Sequence, residues 1–317
     1  MSEPSPSAAE MSRKTDPVAF LSIIRPQNCI IGGLTVIAGI AMAYKMAPIG
    51  ADISLYLPQF FFGYFAYFMI AAGGNVVNDI FDIEVDRINR PHRALPSGRM
   101  TVKQAWYYVA FLSILGVILA WLNKPFGVYG PLIVLIFIVV GYAYAAKVKT
   151  FGLAGNFMVA FSFAFGVFYG AIVYGEVIGH PFNIPLPIWL FFLTAFMILQ
   201  ARETIKGAED VEGDDLRDVR TIARVYGYET AAAVAAILNL IGVTCYVLVW
   251  VLNFASWNLW PLLILGAGIV LGAAIAPLSG PSDKKRLLIG STLDKIGALV
   301  GLLAFIVIPL YEVFFLV

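Results

Sequence analysis

The sequence contains 317 residues, of which 60% are hydrophobic and only 13% are charged, and its formal net charge is +1. The mean hydropathy of +0.85 excludes an ordinary soluble domain and indicates a protein that crosses a membrane several times. The small net charge and the lack of a basic stripe give no indication of a nucleic-acid partner, and no obligate protein partner is evident. Two cysteines and two histidines, each pair far apart in the sequence, predict neither a disulfide framework nor a thiolate or histidine metal site.

The first seventeen residues form a predominantly polar segment rich in serine and proline. This segment predicts a disordered cytosolic tail without a signal peptide. Residues 18–317 are expected to form a single transmembrane domain. Nine apolar runs of membrane-spanning length follow one another, separated by turns that contain proline, glycine or asparagine. The runs cover residues 18–44, 57–80, 102–122, 128–146, 153–175, 187–205, 229–253, 258–276 and 294–316. The sequence therefore predicts an all-α, polytopic membrane protein with nine transmembrane helices.

The positions of the basic residues predict the orientation of these helices. With the N-terminus inside, all of the 21 Lys and Arg residues except Lys45 and Lys124 fall on the cytoplasmic side. Most tryptophans fall near the opposite ends of the spans, where an aromatic belt is expected. We therefore expect a multi-pass protein of the cell membrane whose N-terminus faces the cytoplasm.

The second apolar run ends in a strongly charged stretch, residues 75–98. On a continuous helix, one face would carry four of its polar residues, namely Asn75, Asp79, Asp82 and Asp86. Carboxylates on one stripe repel one another unless a cation holds them. Because Mg²⁺ is usually held by one or two carboxylates together with waters and substrate phosphate oxygens, the pattern predicts Mg²⁺, a phosphorylated ligand and a second acidic cluster.

A second acidic cluster follows the sixth apolar run, in residues 202–220, and it includes Lys206, Asp210 and Asp214 at successive helical turns. The two clusters together hold more than half of the chain's 20 acidic residues. Both follow spans that run from outside to inside, and four helices separate them, which predicts two parallel helical repeats with one acidic motif each. Two such motifs on the cytoplasmic face could hold Mg²⁺ ions around a diphosphate, while the apolar helices keep water from a carbocation.

Further polar residues fall at the same predicted helix ends. They are Arg25, Asn28, Tyr142, Lys147, Lys149 and Asn156. A lysine at a cytoplasmic helix end usually serves as a topological anchor. Lys147 and Lys149 are candidates for the site because their loop lies on the same side as both acidic loops.

These residues resemble the UbiA superfamily of intramembrane prenyltransferases. The segment Asn78-Asp79-x-x-Asp82-x-x-x-Asp86 is similar to the family's first aspartate motif, Asp210-Val211-Glu212-Gly213-Asp214 to its second, and Tyr142-x-x-x-x-Lys147 to its tyrosine and lysine motif. The resemblance implies nine helices around a central cavity and Mg²⁺-dependent prenyl transfer. It implies Mg²⁺ binding by Asn78, Asp79, Asp82, Asp86, Asp210 and Asp214. Catalytic roles are expected for Asp82, Asp86, Asp210, Asp214 and Lys147, and substrate contacts for Arg25, Asn28, Asn78, Arg90, Arg93, Tyr142, Lys149, Asn156 and Lys206.

Within the family, residues 202–214 and 147–156 look like the archaeal lipid enzymes. This likeness implies transfer of a geranylgeranyl group from geranylgeranyl diphosphate to geranylgeranylglyceryl phosphate, a lipid-like phosphorylated acceptor. The product would carry the second ether bond of archaeal membrane lipid. A quinone precursor or a tetrapyrrole is the alternative acceptor. A cation transporter is a more distant alternative. Transporter sites usually lie near the bilayer midplane on broken helices, whereas the charges of this sequence are concentrated at one face of the membrane.

Overall fold

The computed structural model describes residues 16–47, 52–124, 126–211 and 220–315, and all regular structure in these ranges is helical. The helices are α1 (Pro17–Ile23), α2 (Pro26–Met46), α3 (Leu57–Phe81), α4 (Ile83–Asn89), α5 (Val102–Leu122), α6 (Tyr129–Ala146), α7 (Leu153–Ala164), α8 (Gly166–Val177), α9 (Leu186–Glu209), α10 (Ile222–Tyr226), α11 (Tyr228–Val251), α12 (Trp260–Leu278) and α13 (Lys284–Phe315). Three short 3₁₀ turns, Ile53–Tyr56, Val148–Phe151 and Trp257–Leu259, precede α3, α7 and α12.

Nine helical segments of the described chain are long and apolar enough to cross a membrane, which confirms the predicted all-α membrane fold. They are α2, α3, α5, α6, the joined pair α7 and α8, α9, α11, α12 and α13. The predicted tail, residues 1–17, lies outside the described residues except for Asp16 and Pro17. At this point α1 begins, and the Asp16 carboxylate caps it by accepting a hydrogen bond from the Val18 backbone N–H at 2.9 Å.

The ends of the first and last predicted runs differ from the structure for identifiable reasons. The run predicted at residues 18–44 is divided into α1 and α2 at Arg25, whose backbone is left-handed with φ of 53°. Pro26 follows, and a proline disfavours helical geometry in the residue before it. At the other end, α13 begins at Lys284, ten residues before the predicted start at residue 294. No proline interrupts this stretch, so its polar first turns remain helical although hydropathy marks only the apolar part.

Small residues allow a close contact between α2 and α8. A methyl group added to Gly170 would lie 2.2 Å from the carbonyl oxygen of Val36, and one added to Gly39 would lie 2.1 Å from that of Val167. Such backbone-to-backbone approach is typical of membrane helices that pack through glycines. It holds α8 firmly against α2, which carries Arg25 at its N-terminus.

The bundle end far from the acidic motifs is held by two buried or half-buried carboxylates. Glu176 of α8 accepts hydrogen bonds from the first backbone N–H groups of α6, residues 128–130, at 2.7, 3.0 and 3.3 Å. Lys124 donates to the Glu176 carbonyl oxygen, and Lys45 forms an ion pair with Glu312 of α13. The two basic residues at this end therefore have structural partners in neighbouring spans.

Six of the nine described spans surround a cavity of about 500 Å³. They are α2, α3, α6, the pair α7 and α8, α9 and α13. Around this ring, α2 packs on α3, α3 on α6, α7 on α9, α9 on α13, and α13 back on α2. The remaining three spans, α5, α11 and α12, pack outside it. The predicted central cavity is present, and two thirds of the described spans enclose it.

Candidate active site

The cavity is polar at one end and apolar along the rest of its length. Its polar end, called here the cavity mouth, is lined by Arg25, Asn28, Asn75, Asn78, Arg202, Glu203, Lys206 and Lys295. These residues come from the beginning of α2, the end of α3, the end of α9 and the early turns of α13. The deeper walls are aliphatic and aromatic and include Phe137, Phe163, Phe191, Leu199 and Leu302. The cavity therefore suits a ligand with an anionic head and a long apolar chain.

The polar side chains of the first acidic motif form two separate groups. The helix is interrupted at Asp82, which ends α3 and precedes α4. On the cavity side, the Asn78 amide nitrogen donates to Asp82 Oδ2 at 3.0 Å, and Lys149 Nζ donates to Asp82 Oδ1 at 2.7 Å. Lys149 thereby joins the turn between α6 and α7 to the first motif. Asn78, Asp82 and Lys149 form one polar group beside the cavity mouth.

The other two carboxylates of the motif, Asp79 and Asp86, are almost fully buried. Arg93 Nη1 donates to Asp86 Oδ2 at 2.6 Å and to Asp79 Oδ1 at 3.2 Å, and Arg25 forms a second ion pair with Asp79. These contacts hold the loop after α4 and the start of α2 against the end of α3. The single stripe predicted from the sequence is thus split, because it assumed an uninterrupted helix and no arginine from the following loop.

Asn75 belongs to neither group, since its side chain donates to the backbone carbonyl of Ile24 at 2.7 Å and fixes the turn between α1 and α2. Arg90 ends α4 and is exposed, outside the cavity lining. Arg93 is engaged by the buried carboxylates. The structure therefore separates the basic residues of this loop, which the sequence treated together as substrate contacts.

The second acidic motif is described in part. Asp210 ends α9 and is exposed, whereas Asp214 lies outside the described residues. The two described flanks of that segment both lie at the mouth end: α9 runs out of the cavity wall, and the carbonyl oxygen of Arg220 packs so closely on Gly152 that an added methyl would lie 2.0 Å from it. Gly152 follows the turn that carries Lys149. Both flanks therefore lie at the same end of the bundle as the first motif.

Asn78 and Asp82, next to the cavity, offer oxygen ligands that suit a Mg²⁺ ion. Asn78 Oδ1 is buried and has no hydrogen-bond partner among the described residues, and the neighbouring Asp82 offers a carboxylate. Amide and carboxylate oxygens are the hard ligands that Mg²⁺ prefers. Within the described ranges no three acidic, histidine or cysteine side chains come close enough to hold an ion by themselves. Such a site would be completed by waters, substrate oxygens or the rest of the second motif.

The tyrosine and lysine motif is placed differently from its sequence interpretation. Tyr142 is half exposed on the outer surface of α6. Its ring centroid lies 5.5 Å from the ring centroid of Phe81 and 6.4 Å from that of Trp106. Tyr144, two residues later and so on the opposite face of the helix, lines the cavity. Lys147 is exposed at the end of α6, outside the cavity lining. The rotation of α6 in the bundle decides which tyrosine faces the cavity.

Among the remaining predicted residues, Asn28 and Lys206 line the cavity mouth, and Asn156 donates to the backbone carbonyl of Glu203 at 3.4 Å. Three charged residues of the lining, Arg202, Glu203 and Lys295, are not among the site residues predicted from the sequence. Taken alone, the sequence pattern of Lys295 indicates only a residue that sets orientation. The sequence does contain a further signal for Lys295. Lys295 lies at the start of the ninth apolar run, and Lys149 lies just before the fifth run, so the two lysines have corresponding positions four spans apart.

Residues 33–293 match the model of the UbiA prenyltransferase family. The chain belongs to this family. It is 38% identical over 220 residues to the digeranylgeranylglyceryl phosphate synthase of Sulfolobus acidocaldarius, over 69% of this chain and 74% of that one. A solved structure of digeranylgeranylglyceryl phosphate synthase has a TM-score of 0.72 and 29% identity over 92% of this chain and 98% of that one. A UbiA homologue from Archaeoglobus fulgidus, solved with DMAPP and Mg²⁺, shares the fold with a TM-score of 0.59 and 18% identity over 90% and 98% of the two chains. The protein is therefore an integral membrane prenyltransferase.

Proposed function

We propose that this prenyltransferase moves a geranylgeranyl group from geranylgeranyl diphosphate to the free hydroxyl of geranylgeranylglyceryl phosphate. The observation that carries the proposal is the cavity, which combines an apolar interior with a mouth that holds four cationic side chains, Arg25, Arg202, Lys206 and Lys295. A substrate pair with two long apolar chains, one diphosphate and one phosphate requires this combination. The relatives named digeranylgeranylglyceryl phosphate synthase support the choice of acceptor.

Mg²⁺ would be held by Asn78 and Asp82 from the first motif and by Asp210 and Asp214 from the second. When bound, the metal supplies electrostatic stabilisation of the diphosphate as a leaving group. The ion pairs of Asp79 and Asp86 with Arg25 and Arg93 support a positioning role for these two carboxylates, in place of the direct metal contact expected from the sequence. They fix the end of α3, on which Asn78 lies.

The chain's own residues contribute orientation, charge and exclusion of water. Lys149 stands beside Asp82 and can contact the diphosphate oxygens there. In the reaction, the bond between C1 of the prenyl chain and the diphosphate oxygen breaks, and the acceptor hydroxyl oxygen bonds to C1. The hydroxyl proton passes to the departing diphosphate or to a carboxylate at the mouth. Phe137, Phe163 and Tyr144 line the space below and keep water from the reacting carbon.

The cavity mouth faces the cytoplasm in this proposal. The Lys and Arg residues of the described chain concentrate at that end, as expected for the cytoplasmic side of a membrane protein. The two exceptions, Lys45 and Lys124, are engaged with the backbone or carboxylates of other spans. Membership of a prenyltransferase family favours this function over the cation transporter considered from the sequence.

An acceptor comparison tests the proposal. The purified enzyme is supplied with labelled geranylgeranyl diphosphate, Mg²⁺ and one of four acceptors: geranylgeranylglyceryl phosphate, its unphosphorylated counterpart, an aromatic quinone precursor or a tetrapyrrole. We expect the phosphorylated glycerol ether to be used best, and loss of its phosphate to lower kcat/KM by about tenfold to a hundredfold, as for a lost charge-assisted contact. Efficient prenylation of the aromatic or tetrapyrrole acceptor alone would refute the proposal.

A further inference from the structure

One wall of the cavity mouth carries three cations, Arg202 and Lys206 of α9 and Lys295 of α13. We call this set the cationic wall. Lys206 lies one helical turn after Arg202, and α13 packs directly against α9. Glu203 is the one carboxylate of the described cavity lining, and it accepts from Arg202 Nη1 at 2.6 Å while Lys206 Nζ stands 3.8 Å away. Lys295 forms no ion pair with the described residues.

The cationic wall and Lys149 belong to different elements at the cavity mouth end. Lys149 sits where α6 meets α7 and is joined to Asp82 of the first motif. By contrast, α13 closes the ring between α9 and α2. Lys149 lies between the fourth and fifth spans, and Lys295 lies in the first half of the ninth span. The two lysines are therefore four spans apart, as the two acidic motifs are. The mouth therefore offers two separate positions for anionic groups.

The charges at these positions match two different anions. Beside Lys149, Asn78 and Asp82 supply oxygen ligands suited to a metal and hence to a diphosphate. The lining of the cationic wall has three cations and one carboxylate, and it includes no second acidic group among the described residues. A phosphate monoester carries about −1.5 to −2 near neutral pH. This charge fits the cationic wall without a metal.

A buried acidic side chain stands behind this wall. Asp294 is completely buried beside Asn239 of α11, and its charge can interact with that of Arg202. Arg202 Nε is buried without a hydrogen-bond partner among the described residues. Asp294 thus faces α9 and α11, while the next residue, Lys295, faces the cavity. The unpartnered guanidinium nitrogen marks Arg202 as part of a polar site at this wall.

The depth of Lys295 suits the head of a lipid. The helix α13 has 32 residues and a length of about 48 Å at 1.5 Å per residue, which exceeds an apolar layer of about 30 Å. Lys295 lies about three turns from its start, near the boundary of that layer. Leu299 and Leu302, one and two turns further, also line the cavity. A phosphate at Lys295 would leave its attached chain to run along these leucines.

We infer that Lys295, with Arg202 and Lys206, binds the phosphate of the acceptor, while the diphosphate binds beside Lys149 and the first motif. This inference rests on the proposed function and adds to it a subsite and a residue, Lys295, outside both acidic motifs. It assigns the acceptor phosphate to α9 and α13, and of its three residues only Lys206 is among the substrate contacts expected from the sequence.

The test is Lys295→Gln compared with Lys285→Gln, a change at an exposed lysine of the same helix outside the cavity lining. In Lys295→Gln we expect the KM for geranylgeranylglyceryl phosphate to rise about tenfold or more, with the KM for geranylgeranyl diphosphate changed less than about twofold. The preference of the wild type for the phosphorylated over the unphosphorylated acceptor should fall by the same factor. Lys295→Arg should retain most of that preference, and Lys285→Gln all of it.

The outcomes separate this inference from the proposed function. If the wild type does not prenylate the phosphorylated acceptor, the proposed function fails, and the subsite with it. If the wild type does so but Lys295→Gln leaves the acceptor KM unchanged, or raises only the diphosphate KM, the assignment of Lys295 is wrong while the proposed function stands. Should Lys295→Gln not fold, Lys206→Gln is the second variant, and an unchanged KM for the phosphorylated acceptor in folded Lys206→Gln would refute the cationic wall as its phosphate site.

Discussion

Asp82→Ala is expected to lower the rate of prenyl transfer by at least about a hundredfold while leaving the protein folded, because removal of a metal ligand weakens both metal binding and activation of the leaving group. Asp82 is the carboxylate that joins Asn78, at the cavity mouth, to Lys149. Its loss also leaves Lys149 without its partner. The measurement is kcat/KM at saturating Mg²⁺, together with the melting temperature in detergent.

Glu84→Ala is the matched control for this change. Glu84 lies two residues away, is largely exposed, and pairs with Arg87 at 2.9 Å on the surface. Because exposed ion pairs contribute little, its removal should change activity by less than about twofold. Activity of Asp82→Ala close to that of Glu84→Ala would show that Asp82 is not a ligand of the catalytic metal.

Arg93→Met is expected to destabilise the protein by about 3 kcal/mol or more, since breaking a buried ion pair from one side leaves an uncompensated charge. Arg93 contacts two buried carboxylates, Asp86 at 2.6 Å and Asp79 at 3.2 Å. Asp79 would still have Arg25, whereas Asp86 would have no ion-pair partner among the described residues. The change should appear as a lower free energy of unfolding and a lower melting temperature in detergent.

Two further variants show whether the buried charges are the cause. Arg87→Met removes an exposed arginine of α4 and should cost less than about 1 kcal/mol. The double variant Arg93→Met with Asp86→Asn should recover part of the lost stability, because it removes the unpaired charge as well. Equal stability of Arg93→Met and Arg87→Met would contradict the structural role of the Arg93 pairs.

The number and order of the spans could be predicted from the sequence because a membrane span is defined by a long apolar run, which needs no tertiary information. The end of the bundle that carries the candidate site was also predictable, since the few polar residues of an apolar chain concentrate at one end of the helices. The split of the first motif was not predictable in this way. It depends on the interruption at Asp82 and on the loop after α4, which folds back to place Arg93 on Asp86.

Helix rotation explains the remaining differences. Hydropathy identified α6 as a span but carried no information on which face meets the cavity, and packing places Tyr144 there in place of Tyr142. The same limitation applies to Lys295. Its position after a hydrophilic stretch is typical of a topological anchor, and only the packing of α13 between α9 and α2 brings it to the cavity mouth.

Binding of geranylgeranyl diphosphate to the purified enzyme, measured by calorimetry with Mg²⁺ and again with a chelator, tests the metal-dependent cavity most directly. Asp82 lies beside the mouth next to Asn78, and Mg²⁺ held by these two residues would attract a diphosphate that the Asp82 carboxylate itself repels. We expect one diphosphate per chain and an affinity at least about tenfold weaker without Mg²⁺. Equal affinity in the presence and absence of the metal would contradict a site built on Asn78, Asp82 and Mg²⁺.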